Sequence, residues 1–227
     1  METEAKVWYL KRNRLFAGLA ESAGDPIRSH ESIFTVVRRP KRTALFSQGD
    51  AAGTVYFLKE GRVRISRLTE DGKEITISML GAGDAFGEEV IFGETVRRTI
   101  ATVVEDALVC TAVAEDIFAL VAANPQLSLN MARYLRDQRD EALTAVEDIA
   151  FLKVPERIVK LLERLAEQHG VPDPAGVRID IRLTHADLAS LVGSTRETVS
   201  LELSRLRDAG RILVRDRSFV LRTPALI

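Results

Sequence analysis

From Thr43 to Val113 the chain is a string of short runs in which apolar and polar residues alternate, and glycine keeps interrupting them. A period of two is the mark of strands with one buried face, and a helix cannot share it. Val55-Tyr56-Phe57-Leu58 is followed by Glu60-Gly61, and Val63-Arg64-Ile65-Ser66 alternates. Asp71-Gly72 then leads into Ile75-Thr76-Ile77-Ser78-Met79-Leu80, which alternates again. Asp-Gly between two such runs predicts a hairpin. Gly81-Ala82-Gly83-Asp84 predicts a further turn, and Thr99 to Val113 adds two strands around Glu105-Asp106. Many short strands at this spacing predict an antiparallel barrel or roll, with a generic β-sandwich as the alternative.

From Asn124-Pro125 the pattern becomes helical. Met131, Leu135, Gln138, Ala142, Ala145, Ile149 and Leu152 recur at alternating spacings of four and three. That is a heptad seam. Charged residues (Arg133, Arg136, Asp137, Arg139, Asp140, Glu141, Glu147) flank this narrow apolar stripe. Such a stripe needs a facing helix, and a second copy of the chain is the simplest one. The alternative is a helix packed on its own domain. Polar Gln138 and small Ala142 and Ala145 make the seam imperfect.

The last third reads as helix, helix, helix, hairpin. Pro155 opens a helix running from Glu156 to about His169. Gly170 to Gly176 reads as a loop and Arg178 to Leu183 as a strand. Thr184 caps a short helix with Asp187 at the capping-box position, and the helix stops at Gly193. Ser194 and Glu197 form a second box, opening a helix that ends before Gly210. Ile212-Leu213-Val214 and Phe219-Val220-Leu221 flank a turn at Arg215 to Ser218, as in a small wing. Two short capped helices joined at a glycine make a helix-turn-helix. Its predicted core is Leu188, Ala189, Leu191, Val192, Val199, Leu203 and Leu206.

The outer face of the second helix is the one able to enter a major groove of double-stranded DNA. Arg196 there can donate twice to guanine, and Glu197 can accept from cytosine. Thr195, Ser200 and Arg205 suit phosphate contacts, which require only a donor or a positive charge. Thr184 and His185 at the start of the first helix join them. A plain surface histidine is an equal reading of His185, and pure capping is the alternative for Glu197.

Composition limits the remaining classes. The chain has 227 residues, enough for two modest cores. Its net charge of −1 does not advertise DNA binding. From Lys153 onward, however, thirteen Lys/Arg face ten Asp/Glu, a local balance of +3. No apolar run reaches the length that spans a membrane, and Met1 to Leu10 lacks the apolar core of a signal peptide. Cys110 is the lone cysteine, which fits a cytoplasmic location. An iron–sulfur cluster needs about four cysteines, and a structural zinc site fails on the same count. Haem is not expected, because His30 is far from the long helix that follows Pro125. Arg38-Arg39-Pro40-Lys41-Arg42 reads as a solvated loop ahead of the first strand, with a nucleic-acid patch as the alternative. No nucleophile–base pair, histidine cluster or phosphate-binding glycine loop marks an enzyme. A regulatory module acting on a protein partner is the third class weighed, and the wing with Arg196-Glu197 speaks against it.

At three places the chain resembles one family, that of the cyclic-AMP receptor protein and the fumarate-nitrate regulator (CRP/FNR). Ser194 to Ser200 (STRETVS) resembles the family's recognition helix. Val55 to Thr99 resembles its cyclic-nucleotide-binding β-roll, and Ala150 to Ile158 its hinge. The resemblance implies an α+β chain: a β-roll (a double-stranded β-helix or jelly roll) over residues 1–124, a dimerisation helix over 125–152 and a winged helix-turn-helix over 153–227. It implies a homodimeric transcription regulator that contacts RNA polymerase at a near-palindromic site. Arg196 and Glu197 match the family's two main base readers, whereas Leu201 stands where a third reader, an arginine, is usual. The implied site keeps a GTG-like core and loses a requirement at one position. Gly87-Glu88 match the pair that binds ribose, and Arg98-Thr99 the pair that binds phosphate. Glu89 and Val90 depart from the family pattern, as do Ala142 and Leu143 where a Thr-Ser pair contacts adenine. Cyclic AMP is thus one implied effector. A regulator active without ligand, or one sensing another small anion, is the rival. The plain alternative is that Glu88 and Arg98 pair inside the roll.

Overall fold

The structure, a computed structural model, describes residues 13–16, 30–215 and 218–222. Met1 to Leu10 lies outside the described residues, as do Asp216 and Arg217 at the expected wing turn. The chain divides into two compact units within one long helix, at Asp140/Glu141.

In the first unit the strands are β1 (Thr35–Arg39), β2 (Ala44–Phe46), β3 (Thr54–Leu68), β4 (Glu74–Leu80), β5 (Ala85–Phe86) and β6 (Ile100–Val113). They form one antiparallel sheet in the order β1-β6-β3-β4, with β2 on β6 and β5 on β3. The hairpin predicted at Asp71-Gly72 joins β3 to β4. Two expected breaks are absent. Glu60-Gly61 does not end a strand and Glu105-Asp106 does not divide one: β3 and β6 run 15 and 14 residues with register shifts at those places. Gly61 sits at the bulge with φ +86°, where an added Cβ would collide with the Asp106 carbonyl. The bulge bends both strands without cutting either. The Arg38–Arg42 run is also not a loop ahead of the roll. Arg38 and Arg39 belong to β1, and the backbone amide of Lys41 donates to Asp106 Oδ1 at 2.7 Å.

The long strands are covered on both faces. Val55, Phe57, Cys110 and Ala112 face a core shared with Phe34, Ile117 and Leu127. Leu58, Val63, Ala101, Val103 and Val109 face the other, with Phe46 and Phe86. A helix that sequence analysis did not foresee, α1 (Ala114–Ala123), follows β6 and buries Ala114, Ile117 and Leu120. Its stripe of three residues is too short to stand out as a period.

Helix α2 (Pro125–Phe151) has 27 residues. Leu127, Met131 and Tyr134, one helical face, pack into the core of the roll. Of the expected seam, Met131 is therefore spent on its own domain, where it is 5% exposed. Leu135 packs partly on the same core. Gln138, Ala142 and Ile149 are exposed and Ala145 is half-buried, while Leu152 lies past the helix end. The freest apolar stripe is Leu143, Val146 and Ala150, turned about 100° from the expected seam at roughly 100° per residue.

The second unit begins with the end of α2. Asp148, 5% exposed, accepts from Lys160 Nζ at 3.1 Å and Arg164 Nη1 at 2.8 Å, both on α3 (Val154–His169). Burial pushes the Asp148 carboxyl upward, but these hydrogen bonds outweigh it and hold it below its ordinary value. Pro155 sits in the first turn of α3, as expected, and Glu156 accepts from the Lys153 amide at 2.8 Å. The expected loop at 170–176 is instead part of a hairpin of β7 (Gly170–Asp173) and β8 (Gly176–Ile179). Pro172 hid the strand, and it is tolerated because β7 is an edge. The strand expected to reach Leu183 ends at Ile179, though Ile181 and Leu183 remain buried. The helices α4 (His185–Leu191) and α5 (Arg196–Asp208) follow, then β9 (Ile212–Arg215) and β10 (Ser218–Leu221). The second sheet runs β7-β8-β10-β9.

Candidate functional site

The first helix of the pair, α4, opens as its sequence demands. Thr184 Oγ1 accepts from the Asp187 amide at 3.1 Å, and Asp187 Oδ2 accepts from the Thr184 amide at 3.0 Å. Its C-terminus closes with the Ser194 amide on the Ala189 carbonyl at 2.9 Å, around Gly193. That bond commits Ser194 to the end of α4. The cap of α5 is Thr195, not Ser194: its Oγ1 accepts from the Thr198 amide at 3.2 Å. Glu197 is released from the expected box and stands exposed in the first turn. Leu188, Ala189, Val192, Val199, Leu203 and Leu206 are buried between the helices, and Leu191 is half-buried.

On the outer face Arg196 and Glu197 are exposed, and neither has a hydrogen bond or ion pair among the described residues. His185 Nδ1 lies 2.7 Å from Ser200 Oγ, tying α4 to α5. Thr184, His185, Ala186 and Arg196 line an open recess of about 510 Å³. Ala186 is an addition to the set read from sequence, identified by lining the same recess as Arg196. Arg205 Nη1 donates to Glu202 Oε1 at 2.5 Å, yet the Arg205 side chain stays 65% exposed. Leu201 is 53% exposed. The positive end of the α5 dipole and a free guanidinium coincide, an arrangement that favours an anionic, hydrogen-bond-accepting surface.

In the roll, Gly87 follows β5 in a left-handed conformation, and a short 3-10 turn (Glu88–Phe92) follows it. The cation held there is Arg97, not Arg98. Arg97 is 2% exposed, and its guanidinium carbon lies 4.3 Å from the centre of the Phe46 ring. Nη1 donates to Glu89 Oε1 at 2.7 Å and to the Gly87 carbonyl at 3.1 Å, and Nη2 donates to the Thr54 carbonyl. An added Cβ on Gly87 would sit 2.8 Å from Nη1, so only glycine lets the backbone meet this guanidinium. Tyr56 and Phe86 stack at 5.0 Å beside it. Arg98, expected as the cation of the pocket, is 70% exposed and grips Glu94 at 2.9 and 3.2 Å. It does not pair with Glu88. Thr99 is half-buried beside it. Alternation was the available signal: Arg97 shares the parity of Ala101 and Val103, both fully buried.

Burial pushes the Glu88 carboxyl up to about 7; the Glu89 charge adds to the rise, and its backbone hydrogen bond and Arg97 oppose it. Burial also raises the Tyr134 phenol, whose hydroxyl donates to the Ala85 carbonyl. As it stands this cradle does not fit a phosphate. Its buried cation already holds a carboxylate, and Arg98, the cation expected for the phosphate, is taken up by Glu94. Among the described residues no group of three or more His, Cys, Asp or Glu is placed to hold a metal, and no helix is long and apolar enough to cross a membrane.

Comparison with known proteins settles the family. Residues 36–124 match the Cyclic nucleotide-binding domain and residues 156–227 the Crp-like helix-turn-helix domain. The Cyclic AMP receptor protein of Thermus thermophilus is 30% identical over 218 residues, 96% of either chain. The chain belongs to the CRP/FNR family of transcription regulators. Another relative, the Global nitrogen regulator of Synechocystis sp., is 32% identical over 81% of this chain and 82% of its own. The solved c-di-GMP responsive global regulator CLP of Xanthomonas campestris superposes with a TM-score of 0.76 at 25% identity, covering 89% of this chain and 100% of that one. A CRP/FNR chain is a transcription regulator with a DNA-binding helix-turn-helix and is not an enzyme.

Proposed function

We propose that the chain acts in the cytoplasm as a homodimer that places two copies of α5 in successive major grooves, about 34 Å apart, of a near-palindromic promoter site. The observation that carries this reading is the unpartnered pair Arg196 and Glu197 at the exposed start of α5. Arg196 reads guanine and Glu197 accepts from cytosine. Ser200 with His185, Thr184, Thr195 and Arg205 hold phosphates, and Leu201 leaves one position unread. The two copies pair through the second half of α2, where Ala142, Leu143, Val146, Ile149 and Ala150 are exposed and Gln138 begins the contact. Bound there, the dimer contacts RNA polymerase and activates transcription. A gel shift against a family-like palindrome tests this: wild type shifts it as a dimer in preference to scrambled DNA. Equal affinity for both sequences overturns the reading.

The relatives divide over ligand. One is named a cyclic AMP receptor protein and another a c-di-GMP responsive regulator. Cyclic AMP at Gly87, Glu88, Arg98 and Thr99 is the first reading of the roll. The internal pairing of Arg97 and the outward turn of Arg98 favour the second, a regulator active without cyclic nucleotide. Cyclic AMP in the same gel shift separates them: unchanged affinity supports the ligand-free reading.

A further inference from the structure

Arg97 cannot leave its place cheaply. Its guanidinium is buried on the Phe46 ring and oriented by two backbone carbonyls, those of Gly87 and Thr54. Carbonyls satisfy N–H groups without neutralising charge, and a buried charge left uncompensated is strongly destabilising. A single carboxylate compensates this one: Glu89, carried on the turn that Gly87 opens. Neighbouring Glu88 is a weak substitute, because burial moves it toward its neutral form. Glu89 is 31% exposed, so solvent reaches this pair through the carboxylate and not through the 2%-exposed Arg97. Among the described residues Arg97 Nε is buried without a hydrogen-bond partner.

We propose that Glu89 is a built-in counter-anion that occupies the anion position at Arg97 and thereby keeps phosphate-bearing ligands out of the roll. The proposal rests on the ligand-free reading above and names the side chain responsible for it. An incoming phosphate meets a like charge and a hydrogen bond that it must displace. Removing the charge while keeping the acceptor reverses this: in Glu89→Gln the amide oxygen still accepts from Nη1, and the Arg97 charge is left for an external anion.

Titration calorimetry with cyclic AMP, and separately with inorganic phosphate, tests it on the full chain. Wild type binds both only weakly. Glu89→Gln binds cyclic AMP about a hundredfold tighter than wild type, and adding Arg97→Gln removes the gain. A folded Glu89→Gln protein with wild-type affinity overturns the proposal. If that variant does not fold, wild-type melting in phosphate against chloride of equal ionic strength decides. No phosphate-dependent rise in Tm supports the proposal, and a rise overturns it. DNA affinity keeps the two readings apart. Wild-type DNA binding indifferent to cyclic AMP, with no gain in Glu89→Gln, sinks the role of Glu89 alone. Cyclic-AMP-stimulated DNA binding by wild type sinks the ligand-free reading as well.

Discussion

The Glu88 carboxyl has its pKa moved from 4.5 to about 7, chiefly because burial disfavours its charged form. At about 1.4 kcal/mol for each pH unit, that rise is worth about 3 kcal/mol. The folded state holds this proton more tightly than the unfolded chain. The stabilisation is therefore complete below pH 4.5 and is lost as pH climbs through about 7. Glu88→Gln cannot ionise and escapes the loss. Its advantage over wild type should be small near pH 5 and approach about 3 kcal/mol near pH 8.5. Hydrogen exchange of the buried β3 and β6 amides, corrected for intrinsic rates at each pH, measures it within the roll. An advantage of the same size at both pH values would refute the reasoning, since it would mean that Glu88 ionises in the fold as freely as in water.

Other consequences concern the second unit and the long helix. Arg196→Ala should cost about 1–3 kcal/mol at the cognate site and leave weak, salt-sensitive binding to scrambled DNA intact, as read by gel shift. Asp148→Asn should lower stability by about 1–3 kcal/mol in urea at neutral pH. Because the Asp148 pKa is depressed, wild type should lose that advantage as acid protonates the carboxyl, and the two curves should converge. Replacing both Leu143 and Val146 by Asp should shift sedimentation toward monomer and weaken DNA binding without unfolding the roll.

Legibility from sequence followed the periodicity of each element. The helix-turn-helix was readable because its signals are local: Thr184 and Asp187 lie three residues apart, and Gly193 ends α4 within the same window. The roll was readable as strands, but not where they break. Gly61 reads as a turn and is a bulge, a distinction set by Asp106 on a strand 45 residues away. Met131 fits a seam by spacing alone, and which neighbour that face meets is decided by the roll. Arg97 and Arg98 are adjacent and chemically identical. Only the parity of the following strand says that the first points inward.

How each arginine is held ranks its part in DNA binding. Arg97 is buried and needs a counter-charge in its own chain. Arg196 is exposed with none, so its donors are free for a base edge. Arg205 lies between: its partner Glu202 is 9% exposed, but its own side chain is 65% exposed. A half-solvated pair of this kind is weak, and a phosphate can take over the Arg205 donors that face solvent. Arg205→Gln keeps a donor for Glu202 and removes only the positive charge. It should reduce the slope of log affinity against log salt by about one, equally for cognate and scrambled DNA, with base preference unchanged. Fluorescence anisotropy over a salt series measures this. An unchanged slope would mean that Glu202 alone holds Arg205, which then plays no part at the DNA surface.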